Sequence, residues 1–290
     1  MRTPKIIGST TLGAFAAGTL LSVGLASAPA ANASCASFWG IGNSADCTSS
    51  IGSVAIALGT GAKATATGLF GTAFAAGDNA IATNLGSFTF AITAGNSSAA
   101  YTTGLFNIAA QLGSGGQASA EGLSSAGNLG FNISLNIGPG ANPWSYVSTN
   151  GIGNIAVNLF GTGTGAFDTN SVTASGIINV AANLGGQKNH LTAVGGSSGA
   201  FNTAFNIAGS TNNVTAGTGP FAIAGTILQS NASVVKSGPG FNINGIVVGG
   251  ASAVNARKAS PAAASKPKAA NSSAENAKST GGSKRAKKAD

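Results

Sequence analysis

The side chains best able to do chemistry in this chain are its carboxylates, and between residues 34 and 250 they are few: Asp46, Asp78, Glu121 and Asp168. Cleavage of a glycosidic bond needs two acids in one cleft. Stacked folds can align residues distant in sequence, so Asp78, Glu121 and Asp168 are the candidate set for a carbohydrate-active enzyme, a polysaccharide lyase or hydrolase. Their contexts, such as AGDNA and GAFDTN, read as turns. A lyase also needs bases beside its acids, and this stretch offers only Lys63, Lys188 and Lys236. His190, in GGQKNHLTAV, is the one histidine. A Ser/His/Asp arrangement would have to run through it, yet no G-x-S-x-G elbow accompanies it, and it reads as a surface turn residue. The pairs Gly185-Gly186 and Gly195-Gly196 lack the Lys-Ser/Thr and helix of a phosphate loop. No catalytic residue, cofactor or metal ligand is therefore assigned, and the chain is expected not to be an enzyme.

The elements that would position any site announce themselves by a recurring cadence. The phrases LFNIAAQLG (105–113), GNIAVNLFG (153–161), IINVAANLG (177–185) and FNTAFNIAG (201–209) each precede a run in which Ala, Thr or Val alternates with small polar residues. One such unit cannot bury its own apolar face, so self-similarity of this kind implies stacking. Short alternating runs bounded by Gly predict strands, whereas Gly recurs too often for helix, at about 1 kcal/mol each relative to Ala. With 45 Gly and 8 Pro in 290 residues, the chain falls short of the roughly 25–30% that marks structureless low complexity.

The expected fold is all-β, a parallel β-solenoid or β-roll of short two-strand coils. Eight to ten coils at about 4.8 Å each would make a stack roughly 40–50 Å long. A thin core filled by Ala, Val, Ile, Leu and Phe is expected between the two sheets. Asn107, Asn154, Asn158, Asn179, Asn183, Asn202 and Asn206 are expected to hydrogen-bond to one another along the stack. Thr–Ala alternation at 63–67 resembles a flat ice-binding array, but the threonines are not expected to repeat at one position. An interval at 137–147 holds Pro139, Pro143, Trp144 and Tyr146. Two prolines should stop a ladder, which predicts a projecting loop or a joint between halves, with Trp144 and Tyr146 as a candidate contact pair.

The N-terminus carries Arg2 and Lys5, an uncharged apolar stretch at 6–25, and an A-x-A site at Ala31-Asn32-Ala33. This is the plan of a secretory signal peptide with cleavage after Ala33; a retained anchor and lipidation of Cys35 are the weaker readings. Cys35 and Cys47, the only two cysteines, are expected to form one disulfide, worth about 3 kcal/mol by loop-closure entropy. Charge is divided unevenly. The body is nearly neutral, while beyond residue 250 stand Arg257, Lys258, Lys266, Lys268, Lys278, Lys284, Arg285, Lys287 and Lys288 against two acids. Low apolar content predicts a disordered tail, with salt-sensitive affinity for acidic polymers. The expected organisation is signal peptide 1–33, disulfide-stapled cap 34–50 with Phe38 and Trp39 covering the open apolar end, β-solenoid body 51–250 and basic tail 251–290.

The phrases SVAIALGTGAKATATG (53–68) and TAFAAGDNAIAT (72–83) resemble the head repeats of trimeric autotransporter adhesins, which build a left-handed parallel β-roll. The resemblance implies a β-roll and surface exposure; without a heptad stalk or C-terminal membrane strands it implies neither trimerisation nor anchoring. FNISLNIGPG, GNIAVNLFGTGTG and FNTAFNIAGS are similar to the Gly- and Asn-rich repeats of mycobacterial secreted and cell-envelope proteins, including the PPE group, although the N-terminal helical domain of that group is absent. Together these readings lead to an expected bacterial protein, secreted or held in the cell envelope, non-catalytic and structural or adhesive. Its expected partners are acidic cell-wall or host polymers contacted through the tail. Nucleic acid is not expected, no membrane span is expected after signal cleavage, and association between copies is open.

Overall fold

The computed structural model describes residues 34–122, 129–138, 145–162, 170–195 and 200–249. The signal peptide, the basic residues of the tail, Trp144 and Asp168 lie outside them. Among the described residues every regular element is a strand, and none is a helix long and apolar enough to cross a membrane. The coils pair Val54–Leu58 with Lys63–Ala66, Thr72–Ala76 with Ile81–Asn84, Phe90–Ala94 with Ala99–Thr103, and Ile108–Leu112 with Gly116–Gly122. They continue as Ile133–Ile137 with Ser145–Ile152, Ile155–Leu159 with Asn170–Ile177, Val180–Leu184 with His190–Val194, Thr203–Ile207 with Asn213–Ala216, and Ala222–Ile227 with Ser233–Lys236. The first member of each coil joins a 13-stranded sheet and the second a 10-stranded sheet. The fold is a parallel β-solenoid.

Chain reversals finish the first sheet at both ends. Ser34–Phe38 lies antiparallel on Val54–Leu58, and Ile246–Val248 antiparallel on Gly240–Ile243. Cys35 and Cys47 are disulfide-bonded, with Cα atoms 5.5 Å apart; the bridge ties that first strand to Cys47–Ser49, which begins the second sheet. Trp39, expected to cover the end of the stack, instead stands at a corner with 64% of its surface exposed.

Pro139 and Pro143 do not stop the ladder. Ile133–Ile137 is flanked in register by Ile108–Leu112 and Ile155–Leu159, and Ser145–Ile152 by Gly116–Gly122 and Asn170–Ile177. Both prolines lie outside the described residues, and the strands that precede and follow them in sequence are laddered on both sides.

The interior is not what alternation alone suggested. In each five-residue strand of the first sheet, positions two and four point inward. Position two reads Ala55, Ala73, Ala91, Ala109, Ser134, Ala156, Ala181, Ala204 and Ala224, all buried. The bulky residues Ile, Leu, Val and Phe occupy positions one, three and five, on the outside. Expected core filling by Ile and Phe is thus corrected: the first-sheet strands of the coils turn only Ala and polar residues no larger than Gln inward, and the expected Val and Leu come from the second sheet. The second sheet contributes Val147, Val172, Leu191, Val214 and Val234 to the later half of the core.

Position four of the first sheet is polar in the later coils and carries the asparagine ladder. The Asn158 amide donates to Asn136 Oδ1 at 2.8 Å, Asn183 to Asn158 at 2.7 Å and Asn206 to Asn183 at 2.7 Å, and the Thr226 hydroxyl donates to Asn206 Oδ1 at 2.8 Å. A second ladder runs before the strands: the backbone N–H groups of Asn132, Asn154, Asn179, Asn202 and Ala222 each donate to the Oδ1 of the asparagine one coil earlier, at 2.8–2.9 Å. A third joins Asn170, Asn189 and Asn212 in the same way. All are buried, and their bonding removes the penalty of placing amides in a dry interior.

Turns stack as closely as strands. At Gly77, Gly95 and Gly113, with φ of 124°, 146° and 116°, an added Cβ would come within 2.5, 2.3 and 2.0 Å of the carbonyl oxygen of the next turn. Only glycine permits that approach at a positive φ.

Candidate interaction face

The candidate acids are held apart by the topology. Asp78 sits in the turn before Ile81–Asn84, where its carboxylate accepts from Thr60 N–H at 3.1 Å while its own N–H donates to Asn96 Oδ1 at 3.0 Å. It is a rung of a turn ladder. Glu121 accepts from the Ser119 hydroxyl at 3.1 Å and the Asn150 amide at 3.3 Å. Gln117 shares a row with Ala99 and Ile81, so Glu121 lies four strand positions, about 13 Å, beyond that row. Asp78 lies on its other side, and the gap exceeds the roughly 9.5 Å that an inverting pair spans. Asp46 instead pairs with Lys63 at 3.7 Å. His190 is exposed, as expected, but opens the strand His190–Val194 rather than sitting in a turn. Among the described residues no three His, Cys, Asp or Glu side chains gather as metal ligands.

Tyr146 belongs to the strand Ser145–Ile152, in register between Gln117 and Ser171 on the polar outside of the second sheet. Beside it runs an outward column of hydroxyls in register, Thr48, Thr65, Thr83, Tyr101, Ser119, Ser148, Thr173, Thr192 and Thr215, of which Ser119 is covered. Hydroxyl residues do share one position, contrary to expectation. The column is single, interrupted by Tyr101, and reaches Val235 in the last coil.

The first sheet presents the opposite surface. Its outward central column reads Ile56, Phe74, Ile92, Ala110, Leu135, Val157, Ala182, Phe205, Gly225 and Ile243. The flanking columns are equally apolar, from Val54 to Phe241 on one side and Leu58 to Ile227 on the other, with only Thr72 and Thr203 polar. No outward position of these ten strands carries a charge. At Gly225 the ring of Phe205 occupies the space a Cβ would enter, 2.2 Å from it, so the column has both projections and notches.

Along one edge of this face runs a row of aromatics. Phe70, Phe88, Phe106 and Phe131 stack with ring centroids 5.3, 5.4 and 4.8 Å apart, and Phe201 stacks on Phe221 at 5.2 Å. All six have φ between 53° and 62°, a left-handed conformation that costs a residue with a Cβ about 1–2 kcal/mol. Stacking returns about 0.5–1.5 kcal/mol per pair. Phe88, Phe106 and Phe131 lie nearly parallel, whereas Phe70 is tilted by 36° on Phe88, and the six rings are 42–58% exposed. The sequence hid this row, since the phenylalanines looked like core residues; the available signal was a Phe one or two residues before the strand in six of the coils, followed by Asn at Phe106, Phe131 and Phe201. Comparison with protein-family models, with curated proteins and with solved structures finds no match to this chain.

Proposed function

We propose that this chain is a non-catalytic interaction protein, secreted or held in the bacterial envelope, whose body acts through its aliphatic sheet face and whose basic tail contacts acidic wall or host polymers. The observation that carries the reading is an uncharged apolar surface spanning ten strands, since soluble proteins rarely leave a contiguous patch beyond a few hundred Å² without a use. Separation of Asp78 from Glu121, each already engaged in hydrogen bonds along the stack, favours it over a polysaccharide-cleaving enzyme. The N-terminal signal and the charge division support export and tail-mediated retention.

Wall or heparin retention of the chain, measured against salt with and without residues 251–290, tests the tail: retention should fall on deletion, and unchanged retention would sink that part. A polysaccharide turnover screen of the chain beside Asp78→Ala, Glu121→Ala and Asp168→Ala tests the non-catalytic reading. No turnover is expected in any of the four; activity lost on substitution would establish the enzyme instead.

A further inference from the structure

Resting on the interaction-face reading, we infer that the partner of the aliphatic face is a second copy of this chain, packed sheet on sheet about a two-fold axis. Three observations carry this. The first is composition: the bulky aliphatic residues of the first sheet lie outside and its small ones inside, so the sheet has no thick apolar layer until another sheet covers it. A face of that kind is normally buried against a second layer about 10 Å away.

The second is extent. Ten strands at about 4.8 Å spacing and five residues at about 3.3 Å give a footprint on the order of 700 Å² per copy. That falls within the range of stable protein interfaces, about 600–1,000 Å² on each side. The third is repeat. Side-chain rows on this face recur at the coil spacing, and a second copy presents rows of the same spacing, so ridges and notches stay in step over the whole length. An antiparallel two-fold centred between Ile133–Ile137 and Ile155–Leu159 would set Leu135 against Val157 and Ala110 against Ala182 of the other copy. A lipid surface offers no such match, and the face has no basic residue to meet anionic headgroups.

Sedimentation of the purified chain from about 1 to 100 μM tests the inference. The parent chain should sediment at twice its monomer mass. Leu135→Asp with Val157→Asp should give monomer over the same range, a loss in affinity of at least ~100-fold, whereas Ser148→Asp with Thr173→Asp on the second sheet should leave the dimer intact. An unchanged β-type circular dichroism spectrum, and the milder pair Leu135→Ser with Val157→Ser, guard against a folding defect. Monomeric parent chain at about 100 μM, or a dimer that survives the aspartates, would overturn the inference. So would a monomer that floats with neutral phosphatidylcholine vesicles, which would assign the face to lipid. With a monomeric parent, the retention that remains after deletion of residues 251–290 reads the face alone: its loss in Leu135→Asp/Val157→Asp rejects the second copy and leaves the interaction face standing, and its persistence despite those substitutions rejects the face itself.

Discussion

The two sheets share a strand spacing, a coil repeat and one thin interior, yet their outer surfaces have opposite characters. Outward positions of the second sheet hold mainly Thr, Ser, Asn and Tyr with a few charges, and Ile or Val only at scattered positions such as Ile81, Ile177, Val194 and Val235, the ordinary solvated face of a β-protein. Outward positions of the first sheet hold Ile, Leu, Val and Phe, while its inward positions hold Ala and Asn. Stability of the coil therefore rests on small residues and amide ladders, and the bulky apolar residues are left for another purpose. In the first sheet, size rather than polarity decides what goes inside.

Substitutions that cross this division should separate the two roles, and denaturant midpoints of each variant against the parent chain measure the effect. The largest loss is expected inside. Asn183→Ala removes donation to Asn158 and leaves the amides of Asn206 and Asn189 without that acceptor, which should destabilise the chain by about 3–4 kcal/mol. Cys35→Ser with Cys47→Ser should cost about 3 kcal/mol, read with and without reductant; the parent should lose a similar amount on reduction and the variant none. Ala91→Val in the tightly packed inward column should cost about 1–3 kcal/mol. Outside, Leu135→Ser measured in the monomeric state should cost less than about 1 kcal/mol, and Thr173→Val on the second sheet should fall within about 0.5 kcal/mol. A Leu135 effect as large as that at Asn183 would erase the distinction between faces.

Much of the scaffold was legible. Coil recurrence, Gly-bounded alternation and the lone cysteine pair together specify a disulfide-bonded β-solenoid, because those signals are local. The stacking role of Asn154, Asn158, Asn179 and Asn183 was readable too, since identical residues at one coil position meet one another. Sidedness was not. A period of two separates residues into two sets without saying which faces in, and the apolar set was wrongly placed inside, because sheet separation is a property of the assembled coils. The Phe70 to Phe131 row was missed for the same reason. Tyr146 was drawn into a projecting loop by the nearby prolines, although the alternation of Tyr146-Val147-Ser148-Thr149 already marks a strand.

The antiparallel strands that end the first sheet have a further consequence. The end strand of a parallel stack presents an edge onto which another coil could be laid, so an unended solenoid is a template for indefinite polymer growth. Here Ser34–Phe38 and Ile246–Val248 run against the grain, and among the described residues only the two-residue strand Ile41–Gly42 lies beyond Ser34–Phe38. A newcomer arriving in the direction of the coils meets a reversed and abbreviated edge. The length of the first sheet is thereby written in the polypeptide rather than set by its concentration, while the second sheet still ends in the parallel strands Cys47–Ser49 and Ser233–Lys236.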